Sequence, residues 1–211
     1  MVNAARSLRR LTLLALATTA LVSTVCIGPA SAGTAATAAT SCPSTLGHPF
    51  LRWLDPAAYT LAPGGDFESS SSRWQLSGGA KVVSGNEPFK VHGSADARSL
   101  SIPAGASALS PPFCAGLGEP TVRLFAVGGS LTSTLKVEVL YPTLFGTANQ
   151  TIAFVPRMGR WAPTLPILML GNLGGLTALD GLTTKVQLRL TALGGAGWNV
   201  DDVYVDPWKV T

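Results

Sequence analysis

Gly197-Trp198-Asn199-Val200-Asp201-Asp202-Val203-Tyr204-Val205-Asp206-Pro207 is the stretch on which the fold of this chain turns. Its apolar residues alternate as in a strand with one buried face, yet two consecutive aspartates stand in the middle. Because successive strand side chains point to opposite faces, such a pair forces one carboxylate toward a sheet interior or into a bulge. The cost is on the order of several kcal/mol unless a cation or a set of hydrogen-bond donors compensates. More than a hundred residues earlier, Gly64-Gly65-Asp66-Phe67-Glu68 supplies further carboxylates at the start of another strand-like segment. Calcium takes six to eight oxygens and mixes carboxylates with carbonyls, so Glu68, Asp201 and Asp202 are expected to form a structural calcium site joining the first and last strands. The alternative is an exposed Glu68 and an aspartate pair that simply makes a turn or bulge.

Between these ends, short apolar segments recur with Gly, Pro, Ser and Asn between them, as in all-β sandwiches and barrels. Leu135, Val137, Val139 and Tyr141 alternate with Lys136 and Glu138, and Val186, Leu188 and Leu190 alternate with Lys185, Gln187 and Arg189. Weaker strands are expected around 74–76, 80–83, 100–102, 122–127, 151–155 and 198–205. Roughly eight strands suffice for two packed antiparallel sheets in one domain. No sustained helical period appears in residues 33–211, and 23 Gly with 15 Pro argue against a helical body.

The N-terminus has the three parts of a secretory signal: Arg6, Arg9 and Arg10, an apolar run from Leu11 to Ile27, and small residues at Ala30-Ser31-Ala32. Residues 1–32 are therefore expected to be removed on export, which places the protein outside the cell or in the envelope. They hold three of the 15 basic residues and none of the 11 acidic ones, leaving 12 against 11. Near neutrality gives no electrostatic case for nucleic acid or an anionic membrane as partner. Residues 33–41 read as a disordered linker, 42–63 as an arm laid on the domain, and 64–211 as the sandwich. Cys26 leaves with the signal, so Cys42 and Cys114 are expected to form one disulfide in an oxidising compartment. Closing a loop of about 70 residues is worth roughly 4 kcal/mol in the chain-entropy picture.

Enzyme chemistry finds little support. His48 and His92 lie in no nucleophile context, the 11 carboxylates nominate no catalytic pair, and the glycines fall between strands instead of opening a helix around a phosphate. A non-catalytic protein is expected.

Gly65-Asp66-Phe67-Glu68, then Trp74 and the Gly78-Gly79-Ala80 turn, closing on Trp198 to Val203, resembles the frame of jelly-roll carbohydrate-binding modules of the galactose-binding-like type. The resemblance spans about residues 61–206 and rests on its two ends. It implies an antiparallel jelly-roll sandwich, a structural calcium held by Glu68 with Asp202 or Asp201, and a carbohydrate partner. Sugar rings stack on aromatic faces, which singles out Trp161, flanked by Arg157 and Arg160, with Tyr141 and Tyr204 as further candidates. An uncharged segment, 165–179, supports a competing role in which an exposed apolar patch binds a protein or lipid partner in the envelope.

Overall fold

The computed structural model describes residues 46–69, 73–116, 121–143, 145–169 and 183–206. The signal, the linker, Cys42, Trp208 and residues 170–179 of the apolar segment lie outside them. No helix among the described residues is long and apolar enough to cross a membrane.

Among the described residues, thirteen strands form two antiparallel sheets. In chain order they are β1 (Thr60–Leu61), β2 (Gln75–Ser77), β3 (Lys81–Ser84), β4 (Arg98–Ile102), β5 (Ser107–Leu109), β6 (Phe113–Gly116), β7 (Thr121–Gly128), β8 (Thr134–Thr143), β9 (Gly146–Val155), β10 (Met158–Pro163), β11 (Ile167–Leu168), β12 (Thr183–Leu193) and β13 (Trp198–Asp206). One sheet runs β10-β7-β13-β4-β3, with β1 on β13 and β11 on β7. The other runs β2-β5-β12-β8-β9, with β6 on β12. The fold is the antiparallel β-sandwich that the alternating segments imply.

The core lies between the sheets. Leu135, Val137 and Val139 of β8 and Val186, Leu188 and Leu190 of β12 meet Val122, Leu124 and Ala126 of β7 and Trp198, Val200, Val203 and Val205 of β13. Trp74 and Trp198 are core residues, as their apolar contexts suggest. Gly129 explains how Trp198 fits. It has φ +76, and a Cβ there would come within 2.6 Å of the indole.

A second apolar layer covers the outer face of the β7–β13 pair. Phe125 and Tyr204 project outward and are capped by Phe50 and Tyr59 of the N-terminal arm, with Trp53, Phe89 and Trp161 at the margin. Phe50 stacks on Phe125 with ring centres 5.6 Å apart, and the Arg123 guanidinium lies 4.1 Å over the Phe50 ring. Asp55 closes the layer: it accepts from the Tyr59 hydroxyl at 2.7 Å and pairs with Arg123. Phe50, Trp53 and Tyr59 are thus packed on the outer face of the β7–β13 pair.

Candidate functional site

The Asp201-Asp202 pair sits where β13 changes partners. On one side β4 pairs with it as far as Val200, and β1 takes over at Tyr204. On the other side the register with β7 shifts between Asp201 and Tyr204. This is a bulge with Asp202 at φ +47. Its effect is visible in the core: Trp198 and Val200 face inward, and so do Val203 and Val205. Strict alternation would turn Asp202 toward the core and Val203 away from it. The extra residue keeps both carboxylates off that face. The 62–65 turn brackets the bulge, with the Ala62 N–H donating to Val203 O at 2.8 Å and the Val203 N–H to Gly65 O at 3.0 Å. The two ends of the sandwich do lie side by side.

The loop between β3 and β4 supplies the rest of the site. Asp201 is fully buried; its two oxygens accept from the amides of Glu87 at 3.1 Å and Asp202 at 2.9 Å. Glu87, also fully buried, uses both oxygens on its own loop, accepting from the amides of Phe89 and Val91. Asp202 Oδ2 accepts from the His92 amide at 3.3 Å, while its buried Oδ1 has no hydrogen-bond partner. Asp96 Oδ2 is likewise buried without one, although it lies 3.3 Å from His92 Nδ1. Asp66 Oδ2 is 3.8 Å from the same nitrogen.

So many carboxylates in one place disfavour ionisation. Burial and then the charge of Asp202 push Asp201 up to about 9, against the two amides that favour its charged form. Burial and the charges of Glu87 and Asp96 push Asp202 up to about 7, with His92 opposing. A neighbouring side-chain cation, Lys90, donates its Nζ to the backbone carbonyl of Asp96 and leaves Asp96 Oδ2 and Asp202 Oδ1 without a donor.

Of the three residues expected to hold calcium, only Asp202 keeps a buried oxygen without a partner. Glu68 Oε1 accepts from the amides of Ala97 and Arg98 at 2.6 and 2.7 Å, next to Asp96 but committed to backbone. His92, Asp96 and Glu87, which the sequence gives no reason to single out, are the additional members.

The expected sugar-stacking residues divide between the two apolar layers. Trp161 is half-buried on β10 against the second apolar layer, with Arg157 and Arg160 exposed nearby. Tyr141 packs against the main core. Tyr204 corrects the expectation: it faces outward from β13 but is only 7% exposed beneath the arm, so its ring offers no open face.

A different polar surface appears on the outer face of the β2-β5-β12-β8-β9 sheet. Glu138 on β8 stands opposite Arg189 on β12 and Thr151 on β9. It is 5% exposed although it points away from the core, and its Oε2 has no hydrogen-bond partner. Lys136 Nζ is 3.1 Å from its Oε1 and Arg189 Nη1 is 3.9 Å from its Oε2. Phe154, opposite Lys136 on β9, is 58% exposed.

No family model matches the chain, and no curated protein matches it. Solved structures that resemble it include carbohydrate-binding modules of jelly-roll type. One is the endo-1,4-β-D-xylanase of Clostridium thermocellum, its CBM22-1 and GH10 modules complexed with xylohexaose, at TM-score 0.49 and 17% identity over 69% of this chain and 28% of that one. A xylan-binding domain from Paenibacillus barcinonensis has TM-score 0.46 and 15% identity over 68% of this chain and 91% of that one. A family 11 carbohydrate-binding module from Clostridium thermocellum, in complex with a mixed-linked tetrasaccharide, has TM-score 0.37 and 13% identity over 66% and 91%.

Proposed function

We propose that the protein is a secreted, non-catalytic carbohydrate-binding module whose ligand lies on the outer face of the β2-β5-β12-β8-β9 sheet. Glu138 carries this reading. Glu138 Oε2 has Arg189 at 3.9 Å but no hydrogen-bond donor, which is costly for a buried oxygen on an outward-facing strand position. A small opening of the Lys136 and Arg189 side chains would let a sugar hydroxyl supply one. Lys136 and Arg189 flank it as donors for further hydroxyls, Gln187 and Thr191 extend the polar face along β12, and Phe154 offers a ring edge or face at its rim.

Affinity gel electrophoresis against a panel of soluble polysaccharides, with pull-down on insoluble ones, tests it. Retention on at least one glycan is expected. Glu138→Ala should weaken it by about tenfold to a hundredfold, the loss of a charged hydrogen bond worth roughly 1.5–3 kcal/mol. Trp161→Ala should leave it unchanged. Failure of every glycan, or loss with Trp161→Ala but not Glu138→Ala, refutes the assignment.

A protein partner is a second reading, favoured by one observation. Leu165, 83% exposed, lines a groove of about 320 Å³ with Phe154, Ala153, Pro156 and Met158, and Leu168, three residues on, is 54% exposed. A complex or dimer in solution that Leu168→Asp dissolves would support it; a monomer unaffected by that change would not.

A further inference from the structure

His92, Asp96 and Asp202 each bring one ligand atom to within 4.8 Å of the other two. Acidic residues often gather without a ligand, but here two carboxylates that are 6% and 1% exposed each keep a buried oxygen with no hydrogen-bond partner. The nearby amides are already committed: those of Glu87 and Asp202 to Asp201, that of His92 to Asp202, and those of Phe89 and Val91 to Glu87. What the remaining oxygens face is an imidazole nitrogen, 3.3 Å from Asp96 Oδ2.

We propose that His92, Asp96 and Asp202 bind a divalent transition ion of the zinc class, in place of the calcium that Glu68, Asp201 and Asp202 were expected to hold. The donor set decides between them. Calcium is a hard ion that collects six to eight oxygens, whereas imidazole nitrogen with two carboxylates suits zinc and its neighbours. Both Asp201 oxygens and one of the two Glu68 oxygens are held by amides, which leaves few of the expected residues' oxygens for a calcium set. Tetrahedral bonds of about 2.0–2.1 Å put ligand atoms about 3.4 Å apart, close to the Nδ1 to Oδ2 separation of 3.3 Å.

The surroundings suit such a site. Gly93 lets Asp96 approach, since a Cβ there would lie 3.0 Å from Asp96 Oδ1. The His92 side chain is 39% exposed, which leaves a fourth position for water, with Asp66 Oδ2 next to it. The backbone amide of His92 holds Asp202 Oδ2, orienting the ligand from behind. The ion would pin the β3–β4 loop onto the bulge of β13, a structural role independent of any sugar.

The test is titration of the chelator-stripped, purified protein with zinc chloride and, separately, calcium chloride, followed by calorimetry and thermal unfolding. One zinc per chain, a rise of several degrees in Tm, and no shift with calcium are expected. His92→Gln and Asp96→Asn should each weaken zinc at least tenfold, while Glu68→Ala should not. Cobalt(II) should give the intense visible bands of a four-coordinate site, lost in His92→Gln. Circular dichroism confirms that each variant is folded. Calcium binding in preference to zinc, zinc binding indifferent to His92→Gln, or no ion bound at all would each overturn the assignment. Glycan retention is measured separately, so failure here leaves the carbohydrate reading standing or falling by itself.

Discussion

Replacing Asp55 by Ala should unlatch the N-terminal arm, and the structure sets the size of the effect. Arg123 is 5% exposed in its side chain and 68 residues from Asp55 in sequence; it donates Nε to Thr164 O at 2.9 Å and pairs with Asp55, whose side chain is 18% exposed. Removing one partner of a buried pair leaves the other charge uncompensated, at about 3–5 kcal/mol. Asp55 is the more exposed partner and the arm can shift to admit water, which reduces the expected loss to about 2–3 kcal/mol. For a domain of this size each kcal/mol moves Tm by about 2–4 °C, so thermal unfolding should fall by about 5–10 °C. Arg123→Met in the Asp55→Ala background removes the stranded charge and should recover part of the loss. Acid gives an independent readout. Burial pushes the Asp55 carboxyl up, but the Tyr59 hydroxyl, the Ala57 amide and Arg123 together hold it below its ordinary value of 3.8. A carboxyl depressed in the folded state binds fewer protons there, so its contribution is present above the unfolded pKa and disappears as pH falls through the folded one. The gap between wild type and Asp55→Ala should therefore be full at pH 5–7 and close below about pH 4. A change in Tm under about 2 °C at neutral pH, or a double variant no better than the single, would refute the latch.

Gly129→Ala should destabilise by about 2 kcal/mol or more by urea denaturation, because the residue has φ +76 and the new Cβ would meet the Trp198 ring; a loss below about 0.5 kcal/mol would show that the indole can move aside. Cys42 and Cys114 should resist alkylation in the native, unreduced protein, and Cys42→Ser should lower stability by about 2–4 kcal/mol; two free thiols by mass spectrometry would refute the pairing.

The long central strands are legible in the sequence because each buries one face. β8 and β12 are ten and eleven residues long, and Leu135, Val137 and Val139 of the one and Val186, Leu188 and Leu190 of the other are all in the core. β1, β5, β6, β10 and β11 are not announced in this way. Each is two to six residues long, too short for a period to show, and their pairing is decided by the neighbour they meet. Trp161 illustrates the loss: proline-bounded, it reads as a loop residue but lies on β10, half covered by the arm's aromatic layer. Glu138 carries no sequence signal beyond its place on the polar side of a strand. That it is buried there follows from what surrounds it across three strands.

The sequence alone determined that the last strand must break its alternation at Asp201-Asp202, since two adjacent carboxylates cannot both follow a period of two and stay out of the core. That the first and last strands meet was an expectation, and tertiary structure supplied it by pairing β1 with β13 and setting the 62–65 turn on Val203. Tertiary structure decided which groups answer those carboxylates. Asp201 meets Glu87 and Asp202 meets His92 across 114 and 110 residues of chain. Local pattern encodes which face a side chain takes, but a donor held by a loop from another strand pair is settled only when the sheet closes.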